Sequence, residues 1–330
     1  MSDNLLQKVI DTTTVGADNG GLLNAEQANQ FIDYMWDSTA LVRDARRHVM
    51  RADTAEIDKV GVGEKLARLA TEAVDDGVNS DATFTKVSLT TKKLRLDWEL
   101  STESLEDNIE GGNLEDHIAR LMATQFGNDI EDVAINGDTA LTGDALYKSF
   151  NGWKKLALAS GRVIDAEGAG IGRGVFNSMI KELPRKYKAR RNQLKFYAGP
   201  QLVQDYLYGL QANTVEGYAG SIATNVIDGS VAGPQGAGGG VYPYAFGIPI
   251  FEVPLFAEDL AGDYSGEDGD HGYVELTFPA NRIVGVKREV TVHREFKPKK
   301  DAIEYTAFVR VGVQIENADC YVVAKNVLVS

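Results

Sequence analysis

Cysteine is nearly absent from this 330-residue chain: Cys320 stands alone, so no disulfide can close within one chain and no thiolate cluster can hold a metal. Histidine is equally sparse, and His48, His117, His271 and His293 show no H-E-x-x-H spacing. No apolar run approaches the roughly eighteen residues that a membrane span needs. Residues 1–10 are polar, without a basic segment leading into an apolar one, so no secretory signal is expected and a reducing cytosol is the expected compartment. Positive charge is also in deficit. Lys and Arg number 34 against 48 Asp and Glu, a net charge of −14, which argues against coating nucleic acid by charge neutralisation. Plain solubility is the commoner meaning of such a balance, and it also suits a body that must not stick to DNA.

Catalytic texts are missing too. No G-x-S-x-G elbow occurs. Gly168-Ala169-Gly170-Ile171-Gly172-Arg173-Gly174 imitates a phosphate loop but misses G-x-G-x-x-G and has no lysine-serine ending, so a linker ahead of a helix is expected. Asp263, Glu267, Asp268 and Asp270 carry the charge for calcium. However, Asp268 occupies the place of the turn glycine in an EF-hand, and solvation is the ordinary reading. No cofactor, no metal and no catalytic residue is expected.

What is present is alternation. Ile303, Tyr305, Ala307, Val309, Val311, Val313 and Ile315 fall on successive odd positions, with Glu304, Thr306, Arg310, Gly312 and Gln314 between them and Phe308 the exception. Period two predicts a strand with one buried face, about 40 Å long at roughly 3.3 Å per residue. That reach suits an extended, edge-sharing particle better than a pocketed enzyme. A second stripe, Leu94, Leu96, Trp98 and Leu100, alternates with Arg95, Asp97 and Glu99, while Val87 and Leu89 sit on the opposite parity; a bulge near Thr91 reconciles them. With glycine-containing residues 61–83 between strand-like arms, the text predicts a long projecting hairpin, which needs a neighbour to lie on.

Elsewhere helices come early and strands late, an α+β class with more than one packed unit at this length. A helix is expected over about 24–38. Asn113 caps a longer one ending near Gly137, with Leu114, Ile118, Leu121, Met122, Ile130 and Val133 on its apolar face. Further helices are expected from about Gly174 to Pro184 and from Pro200 to about Leu210, a loop over 213–240, and strands at 194–197, 248–253, 273–278 and 283–292. Lys181, Arg185, Lys186, Lys188, Arg190, Arg191 and Lys195 form a basic run opposed only by Glu182. No aromatic interleaving is evident beyond Tyr187, and in a chain so acidic overall, pairing with acidic text of another copy is the better functional reading than nucleic-acid contact, with a plain solvated face the default.

This order resembles the tailed-bacteriophage major capsid proteins of the Hong Kong 97-type fold. Local texts that resemble the family are Ala134-Ile135-Asn136-Gly137-Asp138 with Phe150-Asn151-Gly152-Trp153, Leu183-Pro184-Arg185-Lys186-Tyr187, Phe246-Gly247-Ile248-Pro249-Ile250 and Arg310-Val311-Gly312-Val313. The resemblance implies an N-terminal arm (1–45), an extended loop (46–100), a peripheral domain (101–171 and 281–330) with a spine helix at about 113–136, and an axial domain (172–280). It implies pentamers and hexamers closing an icosahedral shell in the host cytoplasm around double-stranded DNA, with portal and decoration proteins as partners. Leu94, Leu96, Trp98 and Leu100 would bury on a neighbouring subunit, and Arg185, Lys186, Lys188, Arg190 and Arg191 would join in contacts between subunits. Because the chain begins almost at the arm, a separate scaffolding protein, or none, is expected. Some relatives weld subunits through a lysine–asparagine bond; Lys59, Lys65, Asn317 and Asn326 are the ingredients here, and no crosslink is expected. An encapsulin-type nanocompartment shell is the nearest alternative, and a soluble α+β hydrolase the weaker one.

Overall fold

Alternating side chains build the larger strands of the computed structural model, which describes residues 40–61, 83–103, 114–212, 243–264 and 269–329. The expected arm helix at 24–38, the hairpin tip and the 213–240 loop lie outside those residues. After a short helix α1 (Ala40–Asp44), strand β1 (Arg46–Val49) leads into a hairpin of β2 (Thr54–Gly61) and β3 (Thr83–Thr90). Strand β4 (Lys92–Ser101) follows, and then the long helix α2 (Leu114–Asn136). Late in the chain come β10 (Arg282–Lys297) and β11 (Ala302–Ile315). Together they give a four-stranded sheet in the order β1-β10-β11-β4. In β11 the odd residues are buried and most even ones only partly so, as period two requires.

The stripe on β4 finds its partner within the same chain. Leu94 lies opposite Val309, Leu96 opposite Ala307, Trp98 opposite Tyr305 and Leu100 opposite Ile303. The Trp98 and Tyr305 rings stack with centroids 5.1 Å apart. Leu94, Trp98 and Leu100 are buried and Leu96 packs against the same core, so these side chains do not supply the surface expected to dock on a neighbour. The reason is register. β11 has an apolar face to cover, and β4 pairs with it in the one parity that puts both stripes on that face.

Helix α2 covers this core with Ala123, Phe126, Ile130, Val133, Ala134 and Ile135. Leu121, expected on the apolar face, is instead 57% exposed. The long helix ends at Gly137, whose N–H returns to Val133 O at 2.9 Å. A Cβ there would stand 2.5 Å from two carbonyl oxygens, so only glycine lets the following turn fold back so closely.

A second sheet is mixed and six-stranded, in the order β5-β12-β9-β6-β8-β7. Its strands are β5 (Arg162–Asp165), β6 (Lys195–Ala198), β7 (Tyr244–Ala245), β8 (Ile248–Glu252), β9 (His271–Thr277) and β12 (Val322–Leu328). Strand parity separates its two faces. Phe196, Ala198, Val274, Leu276, Val322 and Ala324 pack with helices α4 (Arg173–Glu182) and α6 (Pro200–Ala212), which supply Phe176, Met179, Leu202 and Val203. Tyr197, Tyr273 and Val323, one residue off, join α2 and α3 (Trp153–Ser160) in the first core. Strands β5 and β12 fall in the span expected to be peripheral, yet both belong to the sheet that β6, β8 and β9 build from the axial span. The two spans interlock there.

Candidate assembly surfaces

The hairpin is set on the four-stranded sheet by a pair of bare positions. Gly285 and Gly312 stand directly opposite each other on β10 and β11. A Cβ on Gly312 would lie 2.1 Å from Thr90 O, and one on Gly285 would lie 2.6 Å from Leu89 Cδ2 and 2.7 Å from Met50 Sδ. The chain therefore crosses the sheet in direct contact with its backbone, and Leu89 is fully buried beside Met50 and Ile283. At this crossing the strand breaks at Thr91, where the sequence calls for a change of phase. Thr91 N–H and Oγ1–H both donate to Asp53 O, at 2.8 and 3.2 Å. The Asp53 carboxylate accepts from Lys287 Nζ at 2.7 Å and also from Arg310. These two cations hold its pKa below the usual carboxylate range, chiefly through the Lys287 hydrogen bond and then that of Arg310.

Beyond this elbow, among the described residues, β2 and β3 pair only with each other. Ala55 and Ile57 pack toward the cluster around Leu89, so the inner face of the hairpin starts at home. The other face carries Glu56, Asp58, Lys86 and Ser88, with Phe84 72% exposed near the far end. Of the projecting hairpin of the sequence reading, the described part that projects is the β2–β3 pair, with β1 and β4 drawn into the sheet.

The basic run forms an exposed ridge between two anchors. Leu183 and Leu194, each 1% exposed, hold either end in the second core. Between them, Pro184 opens the short helix α5 (Arg185–Lys188), and a 3-10 turn covers Arg191–Gln193. Tyr187 pins the middle. Its ring meets Phe278 edge-on at 6.1 Å and its hydroxyl accepts from Asn317 Nδ2 at 2.5 Å. Lys188 Nζ donates to Lys181 O at 2.8 Å, Lys195 pairs with Asp44, and Glu182 is taken by Arg162 at 3.2 Å. Arg185, Lys186, Arg190 and Arg191 are exposed and have no acidic partner among the described residues. An open cleft of about 670 Å³ separates Lys186 and Arg190 from Lys59 and Thr85 of the hairpin, with Asn317 and Cys320 also in its wall. Lys59 and Asn317, which no sequence text brings together, thus share one cavity; Lys65 lies outside the described residues. Burial pushes the Cys320 thiol up to about 12, which leaves it protonated and unreactive at neutral pH.

Other candidates have structural partners. Asp263 accepts from Lys325 Nζ at 2.7 Å and from Asn326, while Glu267 and Asp268 lie outside the described residues. His271 is buried and shares a 2.8 Å hydrogen bond with Tyr264. The sequence reading overlooked Arg282, which is 1% exposed. Its guanidinium lies 4.0 Å from the Tyr197 ring centroid, donates from Nε to Tyr321 OH at 3.1 Å and pairs with buried Glu275. Burial opposes its charge, but Tyr321 and Glu275 outweigh that and hold its pKa up. The available signal was a glutamate inside the apolar run of β9. Glu131 of α2, also buried, accepts from Leu41 N at 2.6 Å and ties α1 to the long helix.

No family model matches the chain. It is 30% identical over 278 residues to the "Putative prophage capsid protein YqbE" of Bacillus subtilis (strain 168), covering 83% of each chain. Among solved structures it is similar to the satellite phage P4 procapsid (TM-score 0.59, 14% identity, 91% of this chain and 99% of that one). It is also similar to the capsid of an empty GTA particle (0.58, 13%, 88% and 90%). A third is the SrpI encapsulin of Synechococcus elongatus PCC 7942 (0.57, 11%, 88% of each). The long helix, the hairpin set across a sheet and the interlocked second sheet are thus the parts of a Hong Kong 97-type capsid fold, and the chain belongs to the family of phage major capsid proteins.

Proposed function

We propose that this chain self-assembles into the pentamers and hexamers of an icosahedral phage head enclosing double-stranded DNA, with a structural rather than a catalytic role. The observation that carries the reading is the β2–β3 hairpin. Among the described residues neither of its two strands pairs with a third, it is pinned at its base, and it presents Phe84 to solvent. An isolated two-stranded ribbon is marginal in water, so a third surface is needed to steady it. A neighbouring subunit supplies that surface. Individually modest contacts add up because each subunit meets several neighbours at once, and obligate interfaces bury on the order of 2,000–5,000 Å².

The division into arm, extended loop, peripheral domain and axial domain belongs to this proposal, as do contacts through Arg185, Lys186, Lys188, Arg190 and Arg191. The DNA is enclosed without sequence-specific binding, assembly takes place in the host cytoplasm, and scaffolding, portal and decoration proteins are the partners. Negative-stain microscopy and size-exclusion chromatography of the purified chain test the reading. Closed spheres protecting DNA from nuclease support it, and a stable monomer that never closes refutes it. The encapsulin similarity favours a second reading, a nanocompartment shell; co-purified cargo protein in place of DNA is its signature.

A further inference from the structure

The exposed cations of the ridge have a counterpart on the opposite side of the six-stranded sheet. On α2, Gln125, Asp129, Asp132 and Asn136 are spaced by three or four residues and share one stripe. Gln125 Nε2 donates to Asp129 at 2.7 Å and Asn136 Nδ2 to Asp132 at 2.8 Å, while Asp132 also accepts from Tyr147 OH. Asp144, exposed in the loop after α2, accepts from Leu146 N at 2.8 Å. Hydrogen bonding to Asp132 and burial push the Tyr147 hydroxyl up to about 12, and the charges of Asp132, Asp144 and Asp129 add to the effect. None of the three acids forms an ion pair among the described residues, and Lys148 close by pairs with none of them.

The geometry points to a head-to-tail contact in which the ridge of one copy (Arg185, Arg190 and Arg191) seats on the acidic patch of the next (Asp129, Asp132 and Asp144). This deepens the shell reading and rests on it. The ridge follows α4, which covers one face of the sheet; the acidic stripe rides on α2, which shares a core with the other face. Patches on opposite sides of one subunit cannot meet within it. A contact of this unlike-to-like kind between copies either closes into a ring or runs on as a filament. Complementary charge fixes its register, and like charges brought together oppose it. The alternative occupant of the ridge is DNA phosphate, which the net charge of −14 disfavours.

Two full-length variants test this: R185E/R190E/R191E, and D129K/D144K, which spares the doubly bonded Asp132. Circular dichroism and melting first establish that each is folded. The concentration needed for particles, read by light scattering and microscopy, rises at least about tenfold for either variant alone. Mixed one to one, they associate again into even-membered rings such as hexamers, where the two variants alternate and each offers the other an opposite patch on both sides. A five-membered ring cannot alternate, so the mixture is read by ring formation and not by closed shells. The contact is refuted if either folded variant assembles like the unmodified chain, or if the mixture stays dispersed. Shells of the ridge variant that close normally but hold less DNA also refute it and assign the ridge to phosphate. If the unmodified chain closes no particles at all, the shell reading itself fails and takes this contact with it.

Discussion

Replacing Gly312 by alanine drives a methyl group into the elbow of the hairpin. The added Cβ stands 2.1 Å from Thr90 O, whereas ordinary contact begins at 3.4 Å. Thr90 must retreat by about 1.3 Å, and it is backbone, so no side-chain rotation relieves the clash. Retreat strains the two donations from Thr91 to Asp53 and loosens Leu89 from Met50 and Ile283. Overpacking of this kind costs about 1–3 kcal/mol. Gly285→Ala has side-chain atoms as its nearest neighbours, Leu89 Cδ2 at 2.6 Å, Met50 Sδ at 2.7 Å and Leu89 Cγ at 3.0 Å, which shift more readily than backbone, and it costs less. Gly143→Ala has nothing within 4 Å; there alanine is neutral or stabilises by up to about 1 kcal/mol through the unfolded chain. Urea unfolding of the unassembled chain gives the order, with faster amide exchange at 88–92 as the local sign. If Gly312→Ala unfolds at the same midpoint as Gly143→Ala, the close crossing is wrong.

Asp53 titrates below its ordinary value, so its grip on Lys287 and Arg310 is complete above about pH 4 and is lost as pH falls through the folded value. Protection of the hairpin amides, corrected for the intrinsic slowing of exchange in acid, should therefore fall on acidification, and Asp53→Asn should remove that fall. Arg282→Met leaves Glu275 charged in the core and should cost about 3–5 kcal/mol in urea unfolding, while adding Glu275→Leu recovers most of it. Phe84→Ser should leave the unfolding midpoint of the free chain within about 0.5 kcal/mol and yet weaken particle formation by light scattering. Particles boiled in detergent should run as a single band at the monomer mass of 35.8 kDa; a ladder would reveal welding between subunits.

Much of the architecture was legible because alternation and capping are local. The period of β11 announces a half-buried strand, and the parity change at Thr91 announces a break. Parity says that a face is covered but not by what, so Leu94, Trp98 and Leu100 read as a strand and still misled about their partner. That partner lies some two hundred residues on, in a register no nearby text encodes. The glycine crossing was hidden for the same reason, since Gly285 and Gly312 meet only once β10 and β11 pair. On α2 the small Ala123 and Ala134 carry burial that an eye for large apolar residues gives to Leu121. The ridge was visible as a run of like charge, whereas its spared cations emerged only once Glu182 was found paired with Arg162 and Asp44 with Lys195 of the run itself.

The place of β12 between β5 and β9 has a consequence for biosynthesis. Strand β5 pairs with a segment about 160 residues further along, so the sheet stays open on the ribosome until residues 322–328 have emerged. Strand β4 likewise waits for β11, leaving the hairpin without its footing over the same interval. Contacts of such long range form slowly. Nascent subunits thus cannot offer a finished docking face early, which delays their association until both late strands have been made.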